Sequence, residues 1–209
     1  MNKIVPFVQN SSDNMHCVPA VFRMINQYYF GKDLTWEEID KVMKVIPERG
    51  VWTFPGLTYF ANKGLQIINI EPLDYNLLFQ KGENYLKEIF GEKTSNYYIN
   101  KSNISSVIPF IPEFLKIVKH ENRKATINDV VEYLSKGFLI GVEVNSAILN
   151  NKEGLNLHYV LLYGFDGENI LLNDPGLPAI QGRIITLEEF EKAFNYEGAN
   201  TAITAFNKP

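Results

Sequence analysis

Three residues carry most of the chemistry available to this chain: Cys17, His158 and Asp174. Cys17 is the single cysteine, so no intramolecular disulfide and no Cys-rich zinc site is available. A lone cysteine fits a reducing compartment. Taken alone it reads as a small core residue, because free cysteines are among the most buried side chains. Its position argues otherwise. Val18, Val21, Phe22, Ile25, Tyr28 and Tyr29 follow with helical spacing, Pro19 fits a first turn, and Gly31 ends the pattern. Cys17 is thereby placed at a helix N-terminus, where positive potential favours a thiolate. A histidine in reach of a thiolate forms an ion pair with it, and an Asp or Asn fixes the ring. His158 lies in an apolar strand and Asp174 on the next one. Nothing in the periodicity brings His158, which lies 141 positions after Cys17, to the thiol.

The elements expected to position these residues change character along the chain. Helical patterns dominate the first two thirds. Thr35-Trp36-Glu37-Glu38 is a capping box whose helix ends before Pro47. A short helix is expected over 55–63, a strand over 66–71 and a helix from Asp74 to about Phe90. The polar stretch 91–104 reads as a loop, followed by helices at about 110–120 and 127–136. Then the period becomes that of strands: 139–145, 157–165, 170–173, 183–185 and 201–206. Thr186-Leu187-Glu188-Glu189 opens one more helix, to Phe194. Helices first and strands last is an α+β order. The expected architecture is an N-terminal helical lobe (about 15–137) packed on a C-terminal antiparallel sheet (about 138–209), in a single domain over 1–209.

The turn at Asp166-Gly167 sets the relation of His158 to Asp174. A two-residue loop would place His158 opposite Pro175 and turn Asp174 to the other face. A three-residue loop, Phe165-Asp166-Gly167 with Gly167 in a G1 bulge, would place His158 opposite Asp174. The pattern leaves both open.

The segments Gln9-Asn10-Ser11-Ser12-Asp13-Asn14-Met15-His16-Cys17-Val18-Pro19-Ala20 and Leu157-His158-Tyr159-Val160-Leu161-Leu162-Tyr163-Gly164-Phe165-Asp166-Gly167, followed by Asn173-Asp174-Pro175-Gly176, resemble the C39-like branch of the papain-like cysteine peptidases. The interval of 16 residues from His158 to Asp174 agrees with that family. The resemblance covers about the first 30 residues and the last 70; the middle, about 35–135, is similar only in being helical. It implies a papain-like fold, a nucleophile at Cys17, a base at His158, an orienting role for Asp174 and an oxyanion-hole side chain at Gln9. Two departures stand out. Val18 follows the cysteine where the family has Gly, and Gln9 lies eight residues before Cys17, about two further than the pattern favours. A bulge in 11–14 would absorb the difference; otherwise Asn10 or Asn14 takes the role, or the backbone N–H of Cys17 serves alone.

The implied function is a cysteine hydrolase that cleaves a peptide or other amide through an acyl-enzyme. The alternatives are an acyltransferase or transpeptidase using the same thioester, and a catalytically silent binding module. The resemblance implies no metal or organic cofactor, and a peptide or acyl substrate as partner. With 20 Lys and Arg against 24 Asp and Glu, the net charge of −4 argues against nucleic acid. No apolar run has the roughly 20 residues of a membrane span. The start of the chain has no apolar signal region, so a cytoplasmic, prokaryotic, standalone enzyme is expected rather than a transporter-fused one. His16 and His120 read as rim and surface residues. Tyr97, Tyr98 and Phe110 read as aromatic core, with a substrate cleft as the other option. Oligomeric state is not legible.

Overall fold

The computed structural model describes residues 3–209. Helix α1 spans Cys17–Phe30, and its Gly31 cap adopts φ 68° and donates its N–H to the Gln27 carbonyl. That left-handed conformation is one glycine adopts without strain. Helix α2, Trp36–Met43, starts at a complete capping box between Thr35 and Glu38. Helix α3, Phe54–Asn62, follows, then strand β1, Gln66–Ile70. The apolar faces of these elements meet in one core, where Phe22, Phe54 and Phe60 are fully buried. Each buried ring contributes about 1.5–3 kcal/mol. Gly56 allows the α3 backbone to approach α1, since a Cβ there would lie 2.7 Å from the Phe22 ring.

The next stretch departs from expectation. The single helix foreseen from Asp74 to Phe90 is two, α4 (Tyr75–Lys81) and α5 (Glu83–Lys101), separated at Gly82 with φ 57° and ψ −135°. The stretch expected as a loop, 91–104, is largely helical: α5 continues through a kink at Gly91 to Lys101. Its outer residues are Asn, Lys and Glu, so the apolar periodicity that signals a helix is absent. Helix α6 (Ile104–Val107), a single tight turn and α7 (Ile111–Ile117) lead into strand β2, Lys119–Glu121, which was not foreseen. Three polar residues at a sheet edge carry no strand signature.

The remaining expected elements fall close to their bounds: α8 (Ile127–Ser135), β3 (Leu139–Asn145), then, after a short unforeseen α9 (Ser146–Leu149), β4 (Leu157–Phe165), β5 (Asn169–Asp174), β6 (Ile180–Thr186, longer than expected), α10 (Leu187–Phe194) and β7 (Ile203–Asn207). The strands form one sheet in the order β2-β1-β7-β3-β4-β5-β6. The α+β class holds, with two corrections. The sheet is mixed, because β1 and β2 run parallel, and it recruits those two strands from the helical half. Helices also cover both faces. Leu139, Leu161 and Phe206 join the core under α1 and α3, whereas Val142, Val160 and Leu162 pack against Val130, Phe190 and Phe194 of α8 and α10.

Candidate active site

The β4–β5 hairpin adopts neither of the two foreseen loops. Phe165 pairs with Ile170, leaving Asp166 to Asn169 as a four-residue loop. The Asp166 carboxylate accepts the backbone N–H of Glu168 and of Asn169, at 3.0 and 2.8 Å, which satisfies the turn from within. Near the turn Gly164 faces Leu171, and in that register His158 would share a face with Asn173. A bulge intervenes between Leu162 and Gly164, with Tyr163 as the extra residue, and beyond it Leu162 faces Leu172 and Leu161 faces Asn173. The one-residue shift exchanges faces, so His158 and Asp174 share one as diagonal neighbours.

His158 Nε2–H donates to Asp174 Oδ1 at 2.7 Å, and both residues are buried. The same oxygen accepts the Gly176 N–H at 2.9 Å, and Arg183 donates to Oδ2 at 3.1 Å. Arg183 is itself tied to the Leu149 carbonyl and to Asn150. Gly176 is a fitted position: a Cβ there would lie 2.9 Å from Asp174 Oδ1 and 3.3 Å from His158 Nε2. Burial alone would lower the His158 pKa. The hydrogen bond to Asp174 and the proximity of the Cys17 side chain outweigh it and push the imidazole up to about 9. Burial works to raise the Asp174 carboxyl, but the bond to His158 and the charges of His158 and Arg183 hold it below the usual carboxylate range.

Cys17 is half-buried at the first position of α1, and Cys17 and His158 line one cavity of 390 Å³. With Nε2 committed to Asp174, the ring nitrogen left for the thiol is Nδ1. The segment before α1 is tied to the end of β5. Asn10 N–H donates to the Pro175 carbonyl at 2.8 Å, and Asn10 Oδ1 accepts the His16 N–H at 2.8 Å. Gln9 is exposed and does not line the cavity; Asn10 is buried behind it, and its amide donates to Asn14 Oδ1 at 3.1 Å. Asn14 does line the cavity, in a turn where its φ is 60°, and Gln9 stays outside it all the same.

The other histidines lie in structural networks. His16 contacts Ser11, Asp13 and Asp40 and packs edge-on against Trp36. His120 donates to the Leu73 carbonyl at 2.8 Å and meets Asn69. Tyr97 and Tyr98 are cleft rather than core residues, because both line the cavity beside Cys17. Phe110 lies under the Lys44 ammonium group. Sequence reasoning missed Arg183, Glu143 and Tyr196. Arg183 had a signal in being a charge inside a short strand next to Asp174. Glu143, one charge within the otherwise apolar run 139–144, had the same kind of signal.

The whole chain superimposes on solved peptidase domains. One is a double glycine motif protease from an AMS/PCAT transporter, solved in complex with its leader peptide: TM-score 0.51, 16% identity, 99% of this chain and 93% of that one. Another is the peptidase domain of Streptococcus ComA, a bifunctional ABC transporter: TM-score 0.50, 13% identity, 97% of this chain and 98% of that one. The fold is therefore that of papain-like peptidase domains, an α+β class of thiol enzymes. The chain belongs to the Peptidase_C39 like family, whose model matches residues 1–202. A search of curated protein sequences found no match. Family and fold together make this an enzyme of the cysteine-peptidase type. Among the described residues no helix is long and apolar enough to cross a membrane.

Proposed function

We propose that the protein cleaves peptide bonds with Cys17 as nucleophile, His158 as acid and base, and Asp174 as the residue that orients His158. The observation that carries this reading is the convergence of a helix-terminal cysteine and a buried, Asp-paired histidine on one cavity. Thiolate Sγ attacks the scissile carbonyl carbon and the carbonyl π electrons move to oxygen. As the tetrahedral species collapses, the C–N bond breaks and the imidazolium gives its proton to the departing amine. Water then attacks the thioester while neutral His158 takes its proton. The C–S bond breaks, the acid leaves, and the thiolate–imidazolium pair is restored. The imidazole pKa of about 9 supports a charged ring at neutral pH, ready for the first proton transfer. The developing oxyanion falls near the first turn of α1, whose free backbone N–H groups include that of Cys17. Asn14 lines the cavity and exposed Gln9 does not, so the side-chain contribution assigned to Gln9 by resemblance passes to Asn14, held by Asn10, in this reading. A peptidase of similar fold is solved in complex with a leader peptide, which supports a peptide as substrate.

The test is digestion of a mixed peptide library, read by mass spectrometry, with wild type and Cys17→Ala side by side. Discrete cleavages that vanish in the variant support the proposal. No cleavage, combined with slow iodoacetamide labelling of Cys17 that His158→Ala leaves unchanged, would sink it. Including a primary amine in the digest separates hydrolysis from acyl transfer, since transfer yields an amide product.

A further inference from the structure

The cavity beside Cys17 has a polar floor. Asn69 of β1, Thr204 of β7, Gly141 and Glu143 of β3 and Tyr159 of β4 all line it. Register explains the stripe: Asn69 and Gly141 both pair with Thr204, and Glu143 pairs with Tyr159. Gly141 makes the space, since a Cβ there would lie 2.5 Å from the Tyr159 hydroxyl. Trp52 and the α5 residues Phe90, Tyr97 and Tyr98 contribute aromatic walls.

The charge in this space is unbalanced. Glu48, Glu71 and Glu143 line it, and apart from His158 the one basic residue among the described lining is exposed Lys101. Glu143 is bonded through one oxygen, by the Tyr196 hydroxyl at 2.8 Å; among the described residues its second oxygen accepts nothing. Glu71 accepts through one oxygen, from Tyr75 at 2.7 Å and Asn69 at 3.4 Å. Glu143 stands on the cavity floor, open to solvent; partial desolvation there raises its pKa, and the Glu71 charge adds to that. Both also act on Tyr98. Two carboxylates that form no ion pair among the described residues thus line an aromatic-walled cavity open to solvent, which suits a ligand that brings a cation and an apolar stem.

We infer that this cavity is a specificity pocket for the ammonium or guanidinium side chain of a lysine or arginine residue in the substrate, held by Glu143 and Glu71. The inference deepens the peptidase reading, which supplies the reason why such a side chain is presented next to Cys17. Glu143 lines the same cavity as Cys17 and His158, so a side chain held there lies in the space where the reacting bond is presented.

Two measurements separate the pocket from the chemistry. In the first, agmatine is titrated into full-length Cys17→Ala protein by calorimetry, and again with Glu143→Gln or Glu71→Gln added. Saturable binding that weakens at least tenfold in Cys17→Ala/Glu143→Gln, with melting unchanged, is expected. No binding, or binding indifferent to both substitutions, overturns the inference. In the second, kcat/KM is compared for peptides differing only as lysine or norleucine at one position near the scissile bond. A preference for lysine of at least tenfold is expected, falling to threefold or less in Glu143→Gln. Equal rates at every position tested would also overturn it. If agmatine binds through Glu143 but no peptide is cleaved, the pocket stands and the peptidase reading falls.

Discussion

Replacing Asp174 with Asn changes one buried charge and little volume, so its effect on His158 follows from electrostatics. In the wild type, burial pulls the imidazole pKa down, and Asp174 and Cys17 together bring it to about 9 against an ordinary value of 6.5. That difference corresponds to about 3 kcal/mol favouring the charged ring. In Asp174→Asn the burial penalty remains and the largest opposing influence is gone, so the midpoint falls to about 6.5 or below. At pH 7.5 the protonated fraction then drops from nearly all to about one molecule in ten. The imidazole Cε1–H resonance, followed by NMR from pH 5 to 10, reads the midpoint directly. Iodoacetamide labelling of Cys17 at pH 7.5 reads its consequence, with a fall of about tenfold expected as the imidazolium that holds the thiolate disappears. The same shift has a stability side. The folded-state pKa is raised, so the contribution of His158 is complete below pH 6.5 and is lost as pH rises through about 9. Urea unfolding should show wild type exceeding Asp174→Asn by about 3 kcal/mol at pH 6, and by much less at pH 10. A wild-type midpoint near 6.5, or one that Asp174→Asn leaves in place, would refute the reasoning.

Other consequences can be measured separately. Gly176→Ala puts a methyl group against the His158–Asp174 bond, and should reduce kcat by at least tenfold while shifting Tm by only a few degrees. Arg183→Met removes one of two cations from a buried carboxylate, and should cost about 2–4 kcal/mol in denaturant unfolding. Thr186→Ala deletes the capping box of α10 and should cost about 1 kcal/mol without altering peptide cleavage. Phe22→Ala empties the core beneath α1 and should cost about 3–5 kcal/mol, read from the midpoint of unfolding.

Local signals were read well where chemistry and geometry coincide in sequence. The capping boxes at Thr35 and Thr186 and the Gly31 terminator stand where their residues demand. The strands 139–145 and 157–165 match to the residue, because both are apolar runs bounded by turn formers. Polar helix α5 was illegible because its face toward solvent outweighs its buried side. Strand β2 was illegible because its three residues owe their conformation to β1 alongside, a partner some 50 positions away. Among the residues proposed for the site, Cys17, His158 and Asp174 were visible from type, spacing and resemblance. Their mutual geometry was not, since a loop length and a bulge decide it. Glu143 was visible only as an odd charge; its surroundings come from Tyr159 and Tyr196, which arrive from two other segments.

The Tyr163 bulge makes the hairpin a counting device. Every side chain in β4 before it depends on one surplus residue for its side of the sheet. A deletion of Tyr163 would leave composition, hydropathy and turn almost untouched, and would still present Asn173 to His158 in place of Asp174. The ring would gain a neutral neighbour, and Asp174 would be left with Arg183 alone. A homologue that kept the His and Asp but lacked the surplus residue would have both parts and no pair. Length between the motifs, as much as their letters, is what a descendant of this chain has to preserve.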